Sequence, residues 1–168
     1  LAVYLAETQG KPFELKSAAS TCGAATPTVK KLLFAVEALF LIRAVASRGT
    51  VSKVSYFFED QGIANHLSKD SVKKQDSILR GVYANLRQEL FYQPHPKNEI
   101  FSYRTHDGTE VPLAFSTSQG VVGLICSDES IPTLKEQASA KSFLKAYPNS
   151  KVIIANNSKN IETRDFKV

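Results

Sequence analysis

The spacing of hydrophobic residues changes along the chain, and each change marks an element. Leu1, Tyr4 and Leu5 ahead of Gly10 predict the end of a helix with a glycine stop. Phe13, Leu15, Ala18, Ala19 and Cys22 then recur at roughly helical spacing until Gly23. Thr26 is a suitable N-cap for a further helix, and Pro27 fits its first turn, where a missing N–H costs nothing. Val29, Leu32, Leu33, Val36 and Phe40 predict one continuous apolar face on that helix. Two helices joined by a short Gly-containing turn form a helix-turn-helix. The runs "LFLIRAVAS" and "VSKVSYFF", rich in β-branched and aromatic residues, flank Arg48-Gly49-Thr50 and predict a hairpin, the wing of a winged helix.

A different pattern follows. From Asp70 to Tyr92, Val72, Leu79, Val82, Tyr83, Leu86 and Leu90 predict a long amphipathic helix closed by Pro94 and Pro96. Strands are expected at Ile100–Arg104, Glu110–Phe115 and Val121–Cys126, with Asp107-Gly108 as a tight turn between the first two. Pro132 opens a helix carrying Leu134, Ala138, Phe143, Leu144 and Tyr147. "KVIIA", Lys151 to Ala155, then reads as a buried strand, parallel to an earlier one because a helix precedes it. The expected fold class is α/β (α+β overall). A winged helix-turn-helix over 1–67 precedes an α/β domain over 68–168, the two joined by a short link near Leu67–Ser71.

At this level the chain resembles a known architecture. "TPTVKKLLFAVEALFLIRAV", "VSYFFEDQGIANHL", "FSYRTHDGTEVPLAF" and "LKAYP" follow in the order seen in the C-terminal region of bacterial and archaeal P-loop ATPases of the AAA+ class. That region joins a winged helix to a PD-(D/E)XK, restriction-endonuclease-like domain and is often described as of unknown function. "FFEDQGIANHL" is similar to the family's aromatic-Asp-x-Gly-Leu stretch, and "YRTHDGTEV" to its Arg-Thr-x-x-Gly-x-Glu-Val hairpin. Members with an intact nuclease motif carry Glu-Val-Asp on one strand, Glu-Val-Lys on the next and a Glu on the preceding helix. The carboxylates hold Mg²⁺ and the lysine serves the attacking water.

Carrying that motif over leaves no catalytic set. Glu110 and Val111 match, but Pro112 stands at the Asp position, Leu124 and Cys126 at the Glu and Lys positions, and Tyr83 at the helix Glu. Strand alternation puts Pro112 on one face with Ala114, and Leu124 with Cys126, so that face is apolar where a metal needs oxygen ligands. Pro112 has no N–H for a ladder and is expected at an edge or a bulge. Asp128 and Glu129 read as a solvated turn rather than displaced ligands. The resemblance therefore implies a degenerate nuclease domain, truncated at its C-terminus, without catalysis, metal or cofactor.

Composition narrows the partners. The 43 % hydrophobic and 22 % charged residues are ordinary for a globular protein. No run approaches a bilayer span, so no membrane partner is expected, and no signal-peptide pattern opens the chain; a cytoplasmic location is the default. With no Met and Leu1 first, the chain reads as a fragment or processed product. Cys22 and Cys126, far apart, read as two small thiols, and His66, His95 and His106 form no metal-binding spacing. No GxxxxGK[ST] is present, so ATP binding is expected only of an N-terminal ATPase domain in a parent chain.

Between Thr26 and Val54 five basic residues (Lys30, Lys31, Arg43, Arg48, Lys53) meet one acid, Glu37. That excess makes Thr28, Lys30, Lys31, Arg48 and Lys53 candidates for nucleic-acid contact. The same helix presents Phe34, Ala35 and Ala38 outward, a face suited to another protein and poor in base-reading groups. The leading expectation is a noncatalytic docking or regulatory module of a P-loop ATPase, partnered by that ATPase domain or another protein. The alternative is a nonspecific DNA-binding module acting through the winged helix, and a nuclease built on Asp128 and Glu129 ranks last.

Overall fold

The computed structural model describes residues 1–68, 74–92, 98–118, 120–129 and 131–156. Among them the fold is mixed α/β. Helices α1 (Ala2–Glu7), α2 (Leu15–Cys22) and α3 (Thr26–Ala38) lead into strands β1 (Ile42–Gly49) and β2 (Val54–Phe58). Then come α4 (Gln61–Ser68), α5 (Lys74–Tyr92), β3 (Glu99–Arg104), β4 (Glu110–Thr117), β5 (Gly120–Ser127), α6 (Leu134–Ala146) and β6 (Ser150–Asn156).

All six strands join one mixed sheet in the order β2-β1-β3-β4-β5-β6. β1–β2, β3–β4 and β4–β5 are antiparallel, whereas β1–β3 and β5–β6 are parallel. The parallel β5–β6 pair follows from the α6 crossover, as the sequence pattern requires. The sheet thus runs without a break from the hairpin of the N-terminal half into the C-terminal half. Its outer edge at β2 is covered by the chain before α2: Gly10 donates to the Tyr56 carbonyl and Phe13 to that of Val54, around a Pro12–Ser55 bridge.

Each face of the sheet buries one long helix. α6 sets Ala140 and Phe143 against Phe101, Tyr103, Val111, Ala114, Ile125, Val152 and Ile154. On the opposite face α5 sets Leu79 and Tyr83 against Val45, Phe57, Leu113, Leu124 and Cys126. Tyr83 stacks on Phe57 with ring centroids 4.2 Å apart. That contact joins a C-terminal helix to an N-terminal strand. A third cluster, Leu5, Ala6, Ile42, Phe58 and Ala64, packs α1 and α4 at the β1–β2 end.

Several details depart from the sequence pattern. Ala25, not Thr26, is the N-cap of α3, and its methyl side chain has no acceptor to offer as a cap. The apolar face of α3 is shorter than its periodicity indicates. Val29 is buried and Leu33 and Val36 pack inward, but Leu32 is half in water and Phe40 lies beyond the helix, 74 % exposed. β1 begins at Ile42, so Leu39–Leu41 form the turn rather than the strand. α4 was not legible as a helix, since Gly62 interrupts its short apolar pattern. The expected helical residues 70–73 and the prolines at 94 and 96 lie outside the described residues.

The two halves are joined through buried arginines. Arg104, 5 % exposed, donates to the Gly10 carbonyl and the Ser55 hydroxyl and pairs with Glu110. Its own carbonyl accepts from Thr50 and Val51, where Gly49 at φ 108° brings the β1 turn too close for any side chain. Arg80 on α5 donates to the Ser68 hydroxyl and the Ala6 carbonyl. Such contacts tie the halves together through buried polar groups as well as through the shared sheet. Arg104→Ala should destabilise the chain by about 3 kcal/mol, the usual cost of breaking a buried pair. Urea unfolding should still show one transition in both far-UV circular dichroism and tyrosine fluorescence; two separated transitions would contradict the joined core.

Candidate functional site

One end of the sheet carries a cleft, about 410 Å³, between the Gln9–Pro12 turn, the first turns of α5 and α6, the start of β4 and the end of β5. Glu110, Pro112 and Cys126 line it, together with Gln75, Asp76, Leu79, Thr133 and Glu136. It is therefore the place to which the nuclease resemblance directs attention. Of the four positions singled out in the sequence, Pro112 and Cys126 line the cleft, while Tyr83 and Leu124 do not. Tyr83, Leu124 and Cys126 share the apolar cluster under α5, and Pro112 opens from the cleft beside Cys126.

The strand geometry explains Pro112. Phe101 opposes Ala114 but Tyr103 opposes Val111, so β4 spends three steps where β3 spends two. This bulge, at Pro112 and Leu113, accommodates a residue that cannot donate to the ladder, as its chemistry requires. It also breaks the alternation: Ala114 faces α6, not the Pro112 side as strict pleating would have it. Leu124 and Cys126 do share a face.

The carboxylates that line the cleft each have a partner. Asp76 pairs with Lys11 at 2.8 Å, and Glu110 pairs with Arg104. Glu136 accepts from the Thr133 N–H at 2.7 Å and closes a capping box on α6. Ser139 accepts the Glu110 N–H at 3.0 Å, and Gln75 donates to the Cys126 carbonyl. Among the described residues no group of three or more His, Cys, Asp or Glu is arranged to hold a metal ion. Mg²⁺ does not fit the motif positions, which offer a pyrrolidine ring, an isobutyl group, a buried thiol and a phenol. Asp128 and Glu129 are exposed beyond β5.

Burial sets the protonation of the two titratable substitutes. It pushes the Cys126 thiol up to about 12, helped by the nearby charges of Asp76 and Asp128. It also raises the Tyr83 phenol, with Glu59 adding to the effect while Arg43 and Arg87 oppose it. Neither group is a nucleophile near neutral pH.

The second candidate surface is the outer side of α3 with the hairpin. Thr28, Lys30 and Lys31 are exposed and belong to no ion pair among the described residues. Phe34, Ala35 and Ala38 are exposed alongside them, Phe34 by 74 %. The hairpin cations are held instead. Arg48 pairs with Glu99 and lies 4.2 Å over the Phe101 ring, and Lys53 pairs with Glu14. The four basic candidates thus fall into a free pair on α3 and an engaged pair on β1 and its turn, with Thr28 beside the first.

Sequence reasoning missed Arg104 as the partner of Glu110. The signal was present: the turn at Asp107-Gly108 sets these two residues directly across the hairpin. It also missed Leu39 and Phe40 as surface, because their spacing continued the core stripe. Comparisons with protein-family models, with curated proteins and with solved structures find no match.

Two thiol predictions follow from the burial of Cys126. In the native chain at pH 8, iodoacetamide should modify half-buried Cys22 and spare Cys126, as read by peptide mapping; rapid labelling of both would contradict the packing. Because the folded thiol titrates near 12 and an unfolded one near 9, the folded state holds the extra proton between them. Its contribution is complete below about pH 9 and is lost as pH rises toward 12. Cys126→Ala should flatten that alkaline loss of stability.

Proposed function

We propose that this chain is a noncatalytic protein-docking module, the C-terminal winged-helix and nuclease-like part of a P-loop ATPase whose nuclease chemistry has been lost. The observation that carries the reading is a division of surface. The outer face of α3 is apolar and open at Phe34, Ala35 and Ala38, while the hairpin cations Arg48 and Lys53 are spent on Glu99 and Glu14. A duplex-binding wing needs cations free to replace condensed counterions, and a base-reading helix needs hydrogen-bonding side chains. An exposed aromatic among alanines serves neither purpose but packs well against another protein.

Element order supports the architectural half of the reading. Helix, bridge at Pro12, helix, tight turn at the left-handed Gly23, helix and hairpin is the winged-helix order. Helix, three meandering strands, crossover helix and parallel strand is the restriction-endonuclease-like order. The ATPase domain of a parent chain is the partner this reading favours, and the cytoplasm the compartment. Nucleic-acid binding through Thr28, Lys30 and Lys31 is the second reading, favoured by their freedom from ion pairs.

Fluorescent duplex and single-stranded DNA at about 50 and about 200 mM salt separate the two. The docking reading expects no saturable binding at either salt and no Mg²⁺- or Mn²⁺-dependent cleavage. Tight binding that collapses at the higher salt and weakens in Lys31→Ala would instead make this a nucleic-acid module.

A further inference from the structure

The open face of α3 has a definite order of chemistry. Val29, Leu33 and Val36 point into the core. Lys30, Phe34 and Glu37, spaced four and three residues apart, form a row along one edge of the remaining surface. Read toward the C-terminus the row is basic, aromatic, acidic. Neither Lys30 nor Glu37 belongs to an ion pair among the described residues. Beside the row lies Ala38, small enough to let another helix approach closely.

Reversed, the row reads acidic, aromatic, basic, so it is complementary to itself in the antiparallel sense. A twofold axis perpendicular to α3 and midway between Lys30 and Glu37 sets Lys30 of one copy opposite Glu37 of the other, twice. It also brings the two Phe34 side chains together at the axis. We propose that α3 pairs antiparallel with α3 of a second copy of this chain, forming a twofold dimer through this face. The inference rests on reading the face as a protein-docking surface, and it names the occupant.

The end of α3 supports the same register. Leu41 donates to the Val36 carbonyl and Phe40 to that of Glu37, the two bonds of a glycine-type helix stop. The left-handed position, φ 56°, is held by Phe40 rather than glycine, and the ring is 74 % exposed. A side chain in that conformation is strained, and this one gains no burial within its own chain. About the same axis Phe40 falls opposite Pro27 of the second copy, which is exposed in this chain. Cross-dimer packing there offsets the strain. Leu39, 68 % exposed, extends the apolar contact at the same end.

A contact built on one 13-residue helix is small, so the expected affinity is weak, with a Kd on the order of 10 µM. Sedimentation equilibrium from about 5 to about 500 µM should show a monomer–dimer equilibrium. Lys30→Glu and Glu37→Lys should each weaken it by about tenfold, because each sets like charges across the axis. The double variant Lys30→Glu/Glu37→Lys restores opposite charges and should recover association to within about threefold. Phe40→Gly should raise the melting temperature yet weaken the dimer.

A chain that stays monomeric at every concentration overturns the proposal. So does a dimer indifferent to the single reversals, a double variant that fails to recover, or a Phe40→Gly dimer as tight as the parent. A monomer leaves the docking reading in place, since that reading fails on salt-labile DNA binding instead. Association with a different, acidic protein in a chain that never dimerises also overturns the proposal.

Discussion

A guanidinium withdrawn from water has to be satisfied where it lies, and Arg104 is the residue on which this architecture depends. It sits on the strand that joins the N-terminal hairpin to the rest of the sheet, and every polar contact it makes reaches a different segment. The Gly10 carbonyl, the Ser55 hydroxyl and the Glu110 carboxylate fix the first turn, β2 and β4 about one point. Burial lowers the pKa of the Arg104 guanidinium and Glu110 holds it up, so the carboxylate is needed to keep the buried cation tolerable. A flexible two-domain arrangement would leave such a group stranded at a moving boundary. The close approach of Gly49 to the Arg104 carbonyl makes the same demand on the backbone.

The same demand for pairing governs the cleft at this end of the sheet. Here Glu110 neutralises Arg104, Asp76 neutralises Lys11, and Glu136 caps α6. Tyr83, Leu124 and Cys126 lie in the apolar layer beneath α5, where Tyr83 stacks on Phe57. An unpaired carboxylate in that layer would cost several kcal/mol, so its apolar content and the joining of the two halves are consistent with each other. The pole reads as structure, and the open chemistry of the molecule lies on α3.

Much of the fold was legible because its signals were local. The strand runs of β3, β4 and β5, the Asp107-Gly108 turn of the β3–β4 hairpin and Pro132 ahead of α6 were all visible. The bulge at Pro112 followed from the absence of an N–H, although its effect on Ala114 did not, because alternation presumes an unbroken ladder. What escaped was set by tertiary contact. Nothing in "LFAVEALFLIRAV" indicates that burial ends at Val36 while the apolar sequence continues, so Leu39 and Phe40 were read as core and strand. Lys30 and Lys31 were distinguishable from Arg48 and Lys53 only once Glu99 and Glu14 were brought alongside the latter. The row Lys30–Phe34–Glu37 could have been found from helical spacing alone, by asking whether the outer face matched its own reverse.

The central claim is that the carboxylates of the cleft serve the fold. Titrating the intact chain with Mn²⁺ in a calorimeter, up to millimolar concentration, tests it most directly. The account predicts only the heat of dilution. Saturable binding that disappears in Glu110→Gln or Asp76→Asn would contradict it.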